Sequence, residues 1–131
     1  MFAGKKPENL GVLDGKLAPC PNTPNCVSSQ SVDTTHKIEP LTYTSSSGEA
    51  FAKLSLAIAT QPRTKIITSS PNYLYVEFTS AIMGFVDDVE FYLDADASLI
   101  HVRSASRLGK SDLGVNRKRI ETIRAKLKEL Q

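Results

Sequence analysis

Four consecutive runs constrain this chain more than anything else in it: Thr64 to Ser70, Tyr73 to Ser80, Phe85 to Leu93 and Leu99 to Ser104, each parted from the next by only a few residues. In the second run Leu74, Val76 and Phe78 alternate with Tyr73, Tyr75 and Glu77; in the third, Asp87, Val89, Phe91 and Leu93 alternate with Asp88, Glu90 and Tyr92. A period of two puts every other side chain on one face of a strand, and connections this short join only antiparallel neighbours. Ser70-Pro71-Asn72 has turn chemistry, and the breaks at 81 to 84 and 94 to 97 turn the chain again. The result is an antiparallel sheet with one apolar face, which has to be covered.

Two amphipathic segments supply the cover. Ser45-Ser46-Ser47-Gly48-Glu49 offers N-cap chemistry, Phe51, Leu54 and Ile58 repeat at helical spacing, and Gln61-Pro62 stops the run, so a helix is predicted over about 48 to 60. From Gly114 to Gln131, Ile120, Ile123, Leu127 and Leu130 fall at i, i+3, i+7 and i+10 on a long charged helix whose start Asp112 or Ser111 can cap. Ile38 to Tyr43 also alternates, with Pro40 tolerated only at an edge or a strand start, and predicts a short strand at about 38 to 44. The order β-α-β-β-β-β-α describes an α+β fold, a two-layer sandwich of one antiparallel sheet under two helices. It resembles the TBP-like or helix-grip arrangement, in which a long C-terminal helix lies across a curved sheet; that likeness carries no function.

At 131 residues the chain has room for a single domain with a real core. Residues 1 to 37 hold four of the seven prolines and little apolar periodicity, and read as an irregular arm carrying the Cys20/Cys26 loop, ahead of an α+β core over 38 to 131. Hydrophobic residues at 40% and charged residues at 23% exclude collagen-like, disordered and membrane-embedded classes. There is no apolar run of 18 residues, hence no expected transmembrane segment, and Met1 to Pro7 lacks the apolar core of a secretory leader, so the expected location is cytoplasmic. A net charge of +2 is too small to draw nucleic acid or an anionic membrane. The distribution is more informative: residues 66 to 102 hold six acids and no Lys or Arg, whereas 103 to 131 hold nine bases and three acids. The two segments should neutralise one another on folding.

Strand registers follow from the turns. A turn through 94 to 97 sets Val89 opposite Val102, Phe91 opposite Ile100 and Asp88 opposite Arg103; a turn through 81 to 84 sets Val76 opposite Val89 and Glu77 opposite Asp88. The polar face then carries the rows Glu77-Asp88-Arg103, Tyr75-Glu90-His101 and Tyr73-Tyr92-Leu99. Such a face is either a solvated surface whose Arg103 offsets two carboxylates or a polar binding surface, and Glu77 beside Asp88 needs a partner in both cases. Asp87 falls on the apolar face, where it should meet a donor such as Ser104, Arg107 or a helix N-terminus.

Several segments carry a family likeness. Cys20-Pro21-Asn22-Thr23-Pro24-Asn25-Cys26-Val27-Ser28-Ser29-Gln30, Phe85-Val86-Asp87-Asp88-Val89-Glu90-Phe91 and the stretch from Arg103 through Arg107-Leu108-Gly109 to Asn116-Arg117-Lys118-Arg119-Ile120 resemble the domain of unknown function 1499 family across about 18 to 130. Its members occur in bacteria and photosynthetic eukaryotes, some with leaders or membrane segments. The resemblance implies no reaction. It implies a set of polar motif positions: Asn25, Ser28, Ser29, Asp87, Asp88, Arg103, Ser104, Arg107, Gly109, Asp112, Asn116 and Arg117.

The segment from Arg107 to Asn116 joins the last strand to the last helix, and its arginine, glycines and helix-start amides can hold an anion. The competing reading has Asp112 cap the helix while Arg107 and Arg117 pair with Asp87, Asp88 or loop carbonyls. The two differ in whether either arginine keeps a free face. Cys20 and Cys26 can form a disulfide, remain thiols, or join His36 or His101 in a metal site, although two Cys and two scattered His lack metal-ligand spacing. No cofactor motif is present, Ser28 and Ser29 lack a nucleophile-elbow context, and Asp87 and Asp88 are adjacent strand residues that point to opposite faces.

The expectation is a non-enzymatic binding or assembly module taking a protein or a small anionic ligand, with the Arg107 to Arg117 segment as its site and no nucleic-acid partner. The alternatives are a hydrolase or transferase using Asp87 or Asp88 with Arg103 and Arg107, and a carrier of apolar ligands with a cavity between sheet and last helix, gated by Ile82 and Met83.

Overall fold

The computed structural model describes residues 3 to 109 and 114 to 131. The element order is β1 (Cys26–Ser28), β2 (Leu41–Thr42), α1 (Ser47–Ala59), β3 (Thr64–Ser70), β4 (Tyr73–Thr79), β5 (Val86–Asp94), β6 (Leu99–Ser106) and α2 (Val115–Leu130). The strands form one six-stranded antiparallel sheet in the order β1-β6-β5-β4-β3, with β2 also paired to β6. The α+β architecture and the strand and helix order are those expected from the sequence.

Three local differences stand out. The first is β1, which lies inside the stretch expected to be irregular; its Cys26, Val27 and Ser28 pair with Ala105, Ser104 and Arg103. The second is the short strand expected at 38 to 44, which shrinks to Leu41–Thr42. Pro40 has no N–H to give a ladder, and Ile38 N donates instead to Ser28 O at 3.3 Å. The third is the register of β5 on β6. The turn occupies 95 to 98, not 94 to 97, because Asp94 Oδ1 accepts from Ala97 N at 3.3 Å while Ser98 adopts φ 54 and donates to Ala95 O. Every β6 residue thereby slides by two, so Val89 faces Ser104, Phe91 faces Val102, Asp88 faces Ala105, and Arg103 faces Glu90. A slide of two preserves which face each side chain takes, and the β4 on β5 register, with Glu77 opposite Asp88, is the one expected.

Both helices start and stop for local reasons. Ser46 caps α1 by accepting from Glu49 N at 3.2 Å, and Thr60 Oγ1 closes its end on Ala57 O at 2.7 Å. Gly114 occupies the N-cap of α2 with φ 80, a left-handed value that favours glycine; Asp112 and Ser111, expected to cap this helix, lie outside the described residues. Phe51, Leu54 and Ile58 of α1 join Ile120, Ile123 and Leu127 of α2 in one core with Leu74, Val76, Phe78, Val89, Phe91, Leu93, Ile100 and Val102 of the sheet. Each such side chain contributes about 1.5–3 kcal/mol by leaving water, which fixes the helices to this face.

The opposite face of the sheet was expected to be polar, and it is, but it is buried. Tyr75, Asp88, Glu90 and Arg103 are at most 4% exposed, because the N-terminal arm runs across them. Cys20 and Cys26 form a disulfide that fastens the end of the arm to β1. Among the described residues, no helix is long and apolar enough to cross a membrane.

Closing so short a loop removes limited chain entropy, so replacing both cysteines by serine should lower the unfolding free energy by about 2 kcal/mol. Urea unfolding reads this directly; a variant as stable as the parent would mean that the clasp contributes nothing.

Candidate functional site

Alternation along β5 and β6 divides the motif residues between the two faces of the sheet. Asp88, Arg103 and the side chain of Arg107 belong to the outer face, under the arm, while Asp87 and Ser104 belong to the helix face with Asn116. Most of the residues singled out from the sequence therefore fall into two clusters and not one pocket.

The outer cluster centres on Asp88. Arg107 Nε donates to Asp88 Oδ2 and Arg107 NH2 to Asp88 Oδ1, both at 2.9 Å, and the same NH2 reaches Glu77 Oε2 at 2.8 Å. The Tyr75 hydroxyl donates to Asp88 Oδ1 as well. Arg107 is thus the partner that the Glu77 and Asp88 juxtaposition demanded, and its bidentate grip holds its own pKa above the ordinary guanidinium value, chiefly through the hydrogen bond to Asp88. A row further along, Glu90 Oε2 accepts from the Tyr73 hydroxyl at 2.6 Å and from Gly11 N at 2.7 Å. Arg103 lies 3.9 Å from Glu90 Oε1 and donates to Pro19 O at 3.3 Å. Beyond it, Ser29 Oγ bonds His101 Nδ1 at 3.0 Å and accepts from Val102 N at 2.9 Å, so it continues the ladder of β1 past the strand's end.

Burial is the first cause of the shifts at Glu90, Tyr73, Tyr75 and His101. Glu90 is raised above its ordinary value of 4.5, chiefly by desolvation, with Tyr73, Gly11 N–H and Arg103 opposing and Asp88 reinforcing the shift. Tyr73 and Tyr75 are raised too, first by burial and then by their bonds to Glu90 and Asp88, and His101 is lowered by burial against the pull of Asp94.

A carboxyl held above its unfolded value gives a contribution to stability that is complete below about pH 4.5 and is lost as pH rises through the folded value. Glu90→Gln should therefore flatten the fall in stability on that rising limb, as read by urea unfolding between about pH 4 and pH 8; parallel pH profiles for variant and parent would contradict the assignment.

The inner cluster knits α2 to the sheet and to the loop before β1. Asp87 pairs with Arg119 at 2.8 Å, and that guanidinium also sits 4.8 Å from the Phe78 ring centroid. The donors expected for Asp87, namely Ser104, Arg107 or a helix N-terminus, give way to Arg119. Asn116 Oδ1 accepts from Ser104 Oγ at 2.5 Å and Arg119 NH1 at 2.8 Å, while its Nδ2 donates to Ser106 Oγ at 2.8 Å and Asn25 O at 3.2 Å. Asn25 Nδ2 in turn donates to Gly109 O at 2.7 Å. Arg117 lies apart from both clusters, donating to Lys37 O at 2.7 Å and Thr35 O at 3.1 Å. Asp112 lies outside the described residues.

Arg119 was absent from the sequence-derived set because Arg117-Lys118-Arg119 reads as an undifferentiated basic run. The spacing of Asn116, Ile120, Ile123 and Leu127 does place Arg119 on the buried side of the helix, and that was the available signal. The acid-rich and base-rich segments neutralise each other as expected, through Asp87 with Arg119, Asp88 and Glu77 with Arg107, and Glu90 with Arg103. His36 is engaged by Asp33 Oδ2 at 2.6 Å and Thr23 O at 2.9 Å. A family model described as a protein of unknown function, DUF1499, matches residues 16 to 127. No curated protein matches the chain.

Proposed function

Given that the chain belongs to the DUF1499 family of proteins of unknown function, we propose that it is a binding or assembly module and not a catalyst. The observation that carries this reading is the use to which the motif charges are put: Asp88 and Glu77 hold Arg107, and Asp87 holds Arg119. A general acid, base or nucleophile has to reach a substrate atom at hydrogen-bond distance; these groups reach one another. A hydrolase built on Asp87 with Arg103 and Arg107 would also need to draw on both faces of the sheet, and one built on Asp88 would have to free it from Arg107 and Tyr75. The space an apolar-ligand carrier would use is filled by Phe91, Ile100, Ile120 and Ile123, which are fully buried against each other.

An anion between Arg107 and Arg117 would have to displace two carboxylates from one guanidinium and two carbonyls from the other. A protein partner is therefore the form of binding the geometry favours. The Cys20–Cys26 bond favours action in an oxidising compartment over the cytoplasm.

Turnover assays test the reading. The pure protein and its Asp88→Asn and Arg107→Met variants should give equal, background rates on p-nitrophenyl acetate and p-nitrophenyl phosphate. Turnover by the parent that is lost in Asp88→Asn would replace the module with an enzyme.

A further inference from the structure

We propose that the outer face of the sheet is a binding site for an extended, lysine-bearing and glycine-containing segment of a partner polypeptide, and that the N-terminal arm occupies this site in cis. The inference rests on the module reading and names the ligand class it would take.

The arm is held largely through its main chain. Glu90 accepts from Gly11 N, Arg103 donates to Pro19 O, Arg107 NH1 donates to Gly4 O at 3.5 Å, and Gln30 takes Leu17 N at 2.8 Å while giving Nε2 to Gly15 O at 3.0 Å. Carboxylates that accept N–H and guanidiniums that donate to C=O read the one feature every polypeptide shares, as in recognition of extended peptides elsewhere. Two side-chain features add chemistry: Lys6 Nζ stands 5.2 Å from the Tyr75 ring centroid, and Leu17 is buried. Charge is complementary, since Glu77, Asp88 and Glu90 outnumber Arg103 and Arg107 on the face, while residues 3 to 19 hold three lysines against two acids. Glycine is required where the arm crosses Arg107: a Cβ on Gly4 would lie 2.8 Å from Arg107 Cβ, at φ +80.

The arm does not complete the site. Among the described residues, Glu90 Oε1 and Arg103 Nε are buried with no hydrogen-bond partner, Glu90 Oε1 having only the Arg103 charge at 3.9 Å, and both residues are more than nine-tenths buried. Buried polar groups are as a rule hydrogen-bonded, so these two call for a further partner that the arm does not supply. The arm also curls around an open groove of about 630 Å³ lined by residues 9 to 13 and 16 to 19. Val12 and Leu13 are exposed, so few apolar anchors resist displacement.

The test frees the arm in the full chain. Gly4→Val and Gly11→Val together strain it at two left-handed positions, φ +80 and φ +104, outside the core. A fluorescein-labelled peptide with the sequence of residues 3 to 19 should bind this variant saturably, one to one, with amide shifts at Tyr73, Tyr75, Glu90 and Arg103. The parent should bind it at least about tenfold more weakly, because its tethered arm competes at high effective concentration. The proposal is overturned by no saturable binding to a variant whose arm exchanges freely, by a swapped dimer, or by loss of the fold, which would make the arm an integral part of the domain. Native-state hydrogen exchange of the parent decides independently: Gly11 and Leu17 amides should open well before those of β5, and exchange only through global unfolding would overturn it. Failure of peptide binding without turnover leaves the module reading standing; Asp88-dependent turnover removes that reading itself.

Discussion

Replacing Arg107 with alanine is expected to lower the unfolding free energy by about 3–5 kcal/mol, the cost of leaving a buried charge without its partner. Asp88 is 1% exposed and takes two of its hydrogen bonds from that guanidinium, with Glu77 on the next strand held by the same nitrogen. Removing the arginine leaves two carboxylates directly opposite each other on β4 and β5, with, among the described residues, the single Tyr75 hydroxyl to answer them both. The arm should loosen as well, since Arg107 reaches Gly4 O. Urea unfolding measures the first effect and proteolysis within residues 3 to 19 the second. A loss below about 1 kcal/mol would mean that solvent, not Arg107, carries Asp88.

Asn116→Leu is expected to cost about 3 kcal/mol, a fall of roughly 10 °C in Tm. Asn116 is fully buried and serves Ser104, Ser106, Arg119 and the carbonyl of Asn25 at once. Leucine has similar bulk, so the loss reads the stranded polar partners and not a cavity. The second consequence is local: with Asn116 gone, the Ser104 hydroxyl and Arg119 lose the oxygen they share. A variant as stable as the parent would show that these partners find water instead.

Much of the fold was legible because its signal is periodic. Tyr73 to Phe78 and Asp87 to Leu93 show their faces by alternation, and the stripe from Ile120 to Leu127 shows a helix; these are the elements that match to within a residue or two. The register of β6 was not legible, because Asp94-Ala95-Asp96-Ala97-Ser98 contains no Gly or Asn to mark the left-handed position that Ser98 takes. β1 escaped because three residues are too few to show a period. The split of Asp87 from Asp88 followed from strand geometry alone. That the polar face is buried did not, since Tyr75, Glu90 and Arg103 look solvated until the arm, which has no period of its own, is laid across them.

The account's central claim is that the motif charges hold the fold by pairing with one another. A double-mutant cycle on Arg107 tests it most directly, comparing the cost of Arg107→Met in the parent with its cost in a Glu77→Gln, Asp88→Asn background. The account predicts that the substitution costs at least about 2 kcal/mol less once the carboxylates are neutral. Equal costs in the two backgrounds would contradict it.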